Sequence, residues 1–187
     1  MPIEYELRFK LERDLAQALL DKGFRQKELI RMADLIFEPK DWKPGDMIAP
    51  GYSVARVRLL PLGKQRLEFK EFLEGFRWNE TGFDIRGSVH FVSLLSKLMV
   101  PRRVIQKFRE VWSNGTVEVC IDDVRHLGRF VEIEGPELYV NELALELGFR
   151  LEDHQANYGS QLFYLEKMGF AVFQPGDMDR VLKEFGH

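Results

Sequence analysis

The chain has 187 residues and a mass of 22.0 kDa, which is enough for one well-formed core or at most two small domains. Hydrophobic residues make up 45% of it, so long disorder, collagen and coiled coil describe it poorly. The 27 basic and 30 acidic residues leave a net charge of −3. This balance argues against a protein that coats nucleic acid or a membrane surface, because both usually carry a basic excess.

The sequence also bears on redox chemistry and location. The single cysteine, Cys120, cannot form an intramolecular disulfide or a cysteine-rich zinc site. The first residues carry charges where a signal peptide needs an apolar run. No stretch approaches the roughly 18 apolar residues of a membrane span. We therefore expect a cytoplasmic protein.

The N-terminal third begins with a strand. Residues 2–10 alternate between apolar and charged side chains, which predicts a strand with one apolar and one charged face. Leucines at helical spacing predict a helix over 11–23 that stops at Gly23. A second strand over about 26–37 precedes a loop, 38–51, in which prolines and glycines interrupt regular structure.

The rest of the chain is predicted to contain six further strands and four helices. The strands cover about 53–60, 65–73, 75–81, 102–112, 116–122 and 129–134, and the helices about 88–100, 139–147, 158–168 and 177–185. Asn114-Gly115 is a strong hairpin turn, and Pro101 ends the helix before it. Eight strands with few helices predict one α+β domain, built on a large antiparallel sheet that is closed or strongly curved.

Charged residues, mostly in pairs at i, i+2, recur on one face of successive strands. They are Glu4, Glu6 and Arg8; Arg56 and Arg58; Glu68 and Lys70; Arg77; Lys107 and Arg109; Glu118 and Asp122; and Glu132 and Glu134. For any single strand, a solvated face with weak ion pairs is the simpler explanation. The recurrence favours instead a charged interior, where arginine forks suit phosphate oxygens and paired carboxylates suit a divalent metal. Acids and bases buried together need such a ligand to offset their desolvation.

The same residues resemble a known family. The strand Glu4-Tyr5-Glu6-Leu7-Arg8 resembles the E-x-E-x-K strand of the CYTH superfamily, which includes class IV adenylate cyclases, thiamine triphosphatases and tripolyphosphatases. The stretch 122–134, DDVRHLGRFVEIE, is similar to the family's D-x-V-x-x-L-G-x-F-x-E-I-E. Weaker matches follow the family's order at 34–37, 39–42, 55–58, Lys70, 107–109, 147–149 and 157–162. The series spans roughly residues 3–165 and looks most like the class IV cyclase-like branch.

This resemblance implies a fold, a ligand and a set of site residues. The fold is an eight-stranded antiparallel closed barrel with flanking helices, a tunnel that binds a triphosphate lengthwise with a divalent metal, Mg²⁺ or Mn²⁺. The implied phosphate contacts are Arg56, Arg58, Lys70, Arg77, Lys107 and Arg109. The implied metal ligands are Glu4, Glu6, Asp122, Glu132 and Glu134, and the implied catalytic residues are Glu4, Glu6 and Arg8.

The expected function is therefore a metal-dependent phosphohydrolase or cyclase. Its substrate would be inorganic triphosphate, thiamine triphosphate or a nucleoside triphosphate, with metal and cations stabilising the charge that spreads over the transferring phosphoryl group. A single domain over 1–187 is expected, with its core at about 2–168 and a helical tail at about 169–187. A homodimer is left open.

Three features depart from the family's pattern. Arg8 replaces the lysine, and arginine does not readily lose a proton to act as a base. In the strand that begins at Arg77, Asn79 and Thr81 replace acids that are expected at inward positions. Ile36 stands where a tyrosine is usual. These departures keep open a non-catalytic triphosphate- or polyphosphate-binding protein that uses the same tunnel, and a structural partner protein is a third alternative.

Other reactive or aromatic residues receive ordinary interpretations. The four histidines, including His154, show no metal-ligand spacing and are expected to be structural or exposed. Cys120 is expected to be a buried, unreactive thiol. The three tryptophans, among them Trp78, are interpreted as core or rim groups, with base stacking left open for one of them.

Overall fold

The structure is a computed structural model that describes residues 3–41, 49–155 and 175–186. Its strands are β1 (Ile3–Lys10), β2 (Arg25–Glu38), β3 (Ser53–Leu59), β4 (Gln65–Phe72), β5 (Arg77–Ile85), β6 (Val100–Ser113), β7 (Glu118–Val124) and β8 (Gly128–Gly135). Its helices are α1 (Ala16–Asp21), α2 (Ser88–Leu98), α3 (Glu137–Glu146) and α4 (Pro175–Glu184), with short 3₁₀ turns at Pro61–Gly63 and Leu151–Asp153.

The eight strands form a closed barrel. Their order around the ring is β1-β5-β4-β3-β2-β6-β7-β8, and every neighbouring pair is antiparallel. β1 closes the ring, since Tyr5 lies opposite Arg77 of β5 on one side and opposite Gly135 of β8 on the other. The predicted eight-stranded antiparallel barrel with flanking helices is confirmed.

The apolar faces of the strands point outward and pack against the helices. On one side Leu7 of β1 is fully buried in a cluster that includes Val140 of α3. On the other side Val57 of β3 packs in a second cluster with Val92 of α2 and Leu182 of α4. Each such side chain contributes about 1.5–3 kcal/mol on burial. Because the helices cover these outer faces, the strand alternation turns the charged faces into the barrel.

Local signals in the sequence account for several element boundaries. The predicted hairpin turn is present: Asn114 accepts the backbone N–H groups of Thr116 and Val117, each at 2.9 Å, and Gly115 has a φ of +93°. The first helix is shorter than predicted. Leu11 still donates its N–H to Arg129 of β8 at 3.0 Å, so the chain remains part of the barrel before α1 begins.

Some predictions fall on residues that the structure does not describe. The predicted helix over about 158–168 and the family-like residues at Trp42 and 157–162 lie outside the described residues. The predicted domain limits stay predictions, although Phe185, in the C-terminal region, belongs to the cluster that also buries barrel residues. None of the helices among the described residues is long and apolar enough to cross a membrane.

Gly82 lets β5 lie close to the charged side chains of β4. A Cβ at this position would lie 2.8 Å from Cγ of Glu68 and 3.0 Å from Nη2 of Arg66. We expect Gly82→Ala to lower the free energy of unfolding by about 1–3 kcal/mol, because these packed side chains would have to move. Denaturant unfolding measures the change.

The matched control is Glu71→Ala. Glu71 lies on the neighbouring strand β4 and is exposed, and it does not face Gly82, which lies opposite Glu68. That substitution should change the free energy of unfolding by no more than about 0.5 kcal/mol. Equal losses in the two variants would show that the close approach at Gly82 has no special importance.

Candidate functional site

The inward faces of the barrel enclose a cavity of about 80 Å³. Charged side chains from several strands line it, among them Glu6, Arg56 and Lys107. Apolar side chains also reach it, including Ile36, where the family pattern has a tyrosine, and Trp78. The cavity therefore offers both ionic contacts and surface for a ring or another apolar group.

One group of buried cations lies on β6. The guanidinium of Arg109 donates to both carboxylate oxygens of Asp122, at 2.7 and 2.8 Å, and Lys107 donates to the same carboxylate at 2.7 Å. Arg109 also donates to Glu132 at 2.9 Å. Burial alone would raise the pKa of Asp122, but Arg109 and Lys107 outweigh it and hold that pKa below its usual value. Asp122 is therefore a carboxylate that positions two cations.

A second group lies where β2, β3 and β4 adjoin. Arg58 pairs with Asp34 through both arms of its fork, at 2.8 and 3.1 Å, and Arg56 pairs with Glu68. Burial opposes the charge of Asp34, yet Arg58, Arg56 and the more distant Lys107 hold its pKa well below the usual range. The structure thus places Arg56 and Arg58 inside the barrel, each beside an acid that was not predicted as a site residue, and their role as phosphate contacts stays a prediction.

Lys70 joins this set from β4. Its ammonium group lies 2.6 Å from Glu80 of β5 and 3.5 Å from Glu6 of β1. Burial would lower the pKa of Lys70, but the negative charge of Glu6 and Glu80 raises it above its usual value. Lys70 therefore stays charged inside the barrel, where it connects the cations of β3 and β4 to the acids of β1.

Arg77 does not face the tunnel, contrary to the prediction. It is 42% exposed and pairs with Glu137 of α3 at 2.5 Å. Tyr5, which lies opposite Arg77 on β1, donates to Asn141 of the same helix, so both side chains are on the outer face of the barrel. The alternation of β5 then places Trp78 and Glu80 inside.

The same correction applies to the predicted loss of acids from β5. Asn79 and Thr81 share the outward face with Arg77, so they were wrongly expected at inward positions. The strand still provides a tunnel carboxylate, Glu80, which pairs with Lys70. The sequence pattern was misleading because the outward positions of 77–82 are all polar, whereas the inward positions include the apolar Trp78.

Three carboxylates meet where β1 adjoins β8. Glu6, Glu132 and Glu134, here called the acidic trio, each offer an oxygen atom within 4.8 Å of the others. Burial raises the pKa of Glu134 well above its usual value, helped by the charge of Glu132 and by their shared hydrogen bond. Burial also opposes the charge of Glu132, but Arg109 and Arg8 hold its pKa well below the usual range.

The donor set of the acidic trio fits a hard divalent cation. Carboxylate oxygens are the ligands that Mg²⁺ and Mn²⁺ prefer, and the forced approach of three acids is relieved by a bound cation. Of the other predicted ligands, Asp122 lies outside the trio, and both of its oxygens accept hydrogen bonds from Lys107 or Arg109. The side chain of Glu4 lies outside the described part of the structure, so its metal and catalytic roles stay predictions.

Arg8 points into the acidic trio. Its Nη2 donates to Glu6 at 2.6 Å and to Glu132, while its side chain is 11% exposed. Its backbone N–H donates to Nδ1 of His154 at 2.9 Å. The predicted catalytic pair Glu6 and Arg8 is therefore brought together, with the guanidinium between two of the three acids.

His154 belongs to the site, although the sequence gave no reason to include it. Its ring lies 4.4 Å from the ring of Phe76 and lines the cavity. Arg103 was missed as well: it lines the cavity and pairs with the fully buried Glu38 at 2.7 Å. Cys120 is buried as predicted, and burial raises the pKa of its thiol.

The fold and the charged interior can now be compared with known proteins. The sequence pattern of the CYTH domain matches residues 2–143. The chain belongs to the CYTH domain family. Its cavity is therefore the tunnel of a CYTH domain. No curated protein matches the sequence of this chain significantly.

Several solved structures share the fold. The PH1012 protein of Pyrococcus horikoshii OT3 has a TM-score of 0.69 at 21% identity, covering 81% of this chain and 94% of that one. A candidate adenylate cyclase of Vibrio parahaemolyticus has a TM-score of 0.62 at 16% identity, with coverage of 83% and 94%. HpAC1 of Hippeastrum, a candidate adenylyl cyclase with a dominant triphosphatase activity, has a TM-score of 0.50 at 17% identity, with coverage of 94% and 91%.

The histidine in the site gives a pH prediction. Burial, with the charge of Arg8, lowers the pKa of His154 from 6.5 to about 4. Between these values the unfolded chain binds a proton that the native chain does not, so stability falls as the pH falls. We expect this histidine to account for a loss on the order of 2 kcal/mol, allowing for its partial exposure.

Urea unfolding of the wild type and His154→Gln across this pH range measures that contribution. Glutamine keeps an acceptor for the backbone N–H of Arg8 but does not titrate, so its stability should depend less on pH. Identical pH slopes for the two proteins would contradict the assignment.

Proposed function

We propose that this protein is a metal-dependent enzyme that acts on the phosphoryl chain of a triphosphate-containing small molecule inside the tunnel. One observation carries the proposal: the acidic trio lies beside a band of buried cations within one closed barrel. The band consists of Arg56, Arg58, Lys70, Lys107 and Arg109. Membership in the CYTH family supports the same conclusion.

Charge balance supports a metal and a polyanion binding together. Each cation of the band pairs with a carboxylate of the barrel, as Arg58 does with Asp34 and Lys107 with Asp122. A phosphate chain alone would add negative charge to an interior in which these cations already have carboxylate partners. A divalent cation at the acidic trio would offset that excess, so metal and phosphate chain favour each other's binding.

The cations of the band are suited to a phosphate chain because they can exchange one oxyanion for another. The forks of Arg58 and Arg109 each bind a carboxylate through two N–H groups, and the same geometry fits two phosphate oxygens. Buried ion pairs gain little over hydration in water, so this exchange does not require the loss of a strongly favourable state.

The chemistry follows from where these charges lie. In phosphoryl transfer, negative charge spreads over the oxygens of the transferred group, and fixed cations that surround it lower the barrier. Lys107 and Arg109 are held in place by Asp122 and would supply such charge without reorganising. A metal ion at the trio would add Lewis-acid polarisation of a phosphoryl oxygen.

Hydrolysis and cyclisation differ in what the rest of the substrate needs. Cyclisation requires a surface for the nucleoside, and the cavity offers Trp78, Ile36, Val54 and Ile105 beside the charged groups. Hydrolysis requires only a positioned water. The dominant triphosphatase activity of HpAC1 and the candidate cyclase of Vibrio parahaemolyticus make both outcomes worth measuring with one substrate panel.

A non-catalytic tunnel protein is the second candidate, and Arg8 is the observation that favours it. Its guanidinium bridges Glu6 and Glu132, where a bound metal would also have to be. The expected loss of inward acids from β5 no longer argues against catalysis, because Asn79 and Thr81 face outward and Glu80 provides a tunnel acid. Tight triphosphate binding without product would identify this candidate.

The test measures phosphate, pyrophosphate and cyclic nucleotide with Mg²⁺ or Mn²⁺ on inorganic tripolyphosphate, thiamine triphosphate and ATP. We expect turnover of at least one substrate, lost on chelation of the metal. Glu134→Gln should lower kcat/KM by about 10- to 100-fold, because it removes a ligand charge from the trio. Burial and the neighbouring Glu132 raise the pKa of Glu134, so the site tolerates a neutral side chain there, and glutamine has nearly the same shape, so the fold should survive.

The control variant is Arg77→Gln, which removes a positive charge from the outer surface beside α3. It should leave kcat/KM within about twofold of the wild type, since surface charges contribute little at this distance. Absence of turnover with every substrate would count against the enzyme. If tripolyphosphate with metal still raises the unfolding temperature, the binding protein is the better conclusion.

A further inference from the structure

The side chain of Arg8 occupies the space between two of the three carboxylates that form the acidic trio. It donates to Glu6 at 2.6 Å and to Glu132. Those carboxylates and Glu134 are the oxygen donors that come within 4.8 Å of one another. A guanidinium so placed uses lone pairs that a metal would need and adds a positive charge that repels a divalent cation.

The backbone of Arg8 is fixed, so only its side chain can vacate this position. Arg8 lies opposite Glu132 in the pairing of β1 with β8, and its N–H is bound by His154 at 2.9 Å. The guanidinium is carried on a flexible chain that lines the same cavity as Lys70 and Lys107. Rotation of this chain would carry the charge from the carboxylates to a ligand within the tunnel.

If the side chain of Arg8 moved away, Glu6 and Glu132 would each still have another cation nearby. Glu6 has Lys70 at 3.5 Å, and Glu132 has Arg109 at 2.9 Å. The usual penalty for breaking a buried ion pair arises because one charge is left uncompensated. Here that penalty is reduced, because Lys70 and Arg109 still compensate the two carboxylates. The guanidinium of Arg8 would in turn be compensated by the phosphate chain.

We propose that Arg8 keeps divalent metal out of the acidic trio until a triphosphate enters the tunnel and draws the guanidinium away. This inference rests on the proposed tunnel function and adds an order of events: the free protein binds metal weakly, and metal binds together with the phosphate chain. A lysine at this position would keep the positive charge, but an ammonium group is more strongly hydrated than a guanidinium and is held less firmly between buried carboxylates. Arg8 is thus a positioning residue that couples metal binding to substrate binding.

The experiment titrates Mn²⁺ into the full chain by calorimetry, with no substrate present. We expect Arg8→Gln to bind Mn²⁺ about 10-fold or more tightly than the wild type, and Arg8→Lys to lie between them. With a methylene-bridged triphosphate analogue present, the wild type should gain a comparable affinity for Mn²⁺. Arg8→Gln should gain less from the analogue, because its trio is already accessible.

The matched control is Arg103→Gln. Arg103 lines the same cavity and has the same 11% side-chain exposure, but it pairs with Glu38, which also has Arg102 at 3.3 Å. It should change the affinity for Mn²⁺ by no more than about twofold, because it does not touch the trio. An equal gain in both variants would show a general charge effect and overturn the proposal, as would tight Mn²⁺ binding by the wild type alone.

This outcome is separable from the activity of the tunnel. If no triphosphate is turned over but Arg8→Gln and Arg8→Lys gain Mn²⁺ affinity in the expected order, the role of Arg8 stands and the enzyme proposal fails. If turnover is found but the free wild type binds Mn²⁺ as tightly as Arg8→Gln, the enzyme proposal stands and this inference fails. Thermal unfolding of each variant establishes that the titrated protein is folded.

Discussion

Mutual neutralisation of charges inside a closed barrel is the constraint on which this structure depends. A side chain on an inward face has little water to solvate it, so each cation there needs an anion and each anion a cation. The pairs of Arg58 with Asp34 and of Arg109 with Asp122 satisfy this need across neighbouring strands. Among the residues that the structure describes, the acidic trio is the group of three carboxylates that lie close together, and Arg8 partly compensates its charge. The place where neutralisation is least complete is also the place where a metal fits.

The fold was largely predictable because it depends on patterns that the sequence states directly. Alternation over 2–10 and the Asn114-Gly115 turn specify a strand and a hairpin with little help from the rest of the chain. Face assignment failed in β5, where the apolar Trp78 faces inward and the charged Arg77 outward. In that strand the inward direction is set by its register with β4 and β1, in which Trp78 lies opposite Phe72 and Glu4, so the pattern within the strand could not decide it.

The candidate site was predictable in its members more than in its contacts. Glu132 and Arg109 were recognisable from charge spacing and from the family's motif. Their hydrogen bond depends on the register of the successive strands β6, β7 and β8, which the residue pattern of each strand does not specify. The counter-ion Glu80 was missed because the faces of β5 were assigned wrongly, and His154 was missed because it follows the barrel strands and approaches the cavity through a contact with Arg8.

The joining of β1 to β8 has a consequence for how the molecule assembles. β6, β7 and β8 are successive hairpins, so Lys107, Arg109 and Asp122 can come together through contacts that are short in sequence. Glu6 meets Glu132 only when the two ends of a long stretch of chain find each other, and such distant pairings form slowly. The cations of β6 can therefore be organised early in folding, whereas the acidic trio is complete only in the closed barrel. A cation bound at the trio would link β1 to β8 in the closed barrel. It would therefore slow unfolding more than it speeds folding.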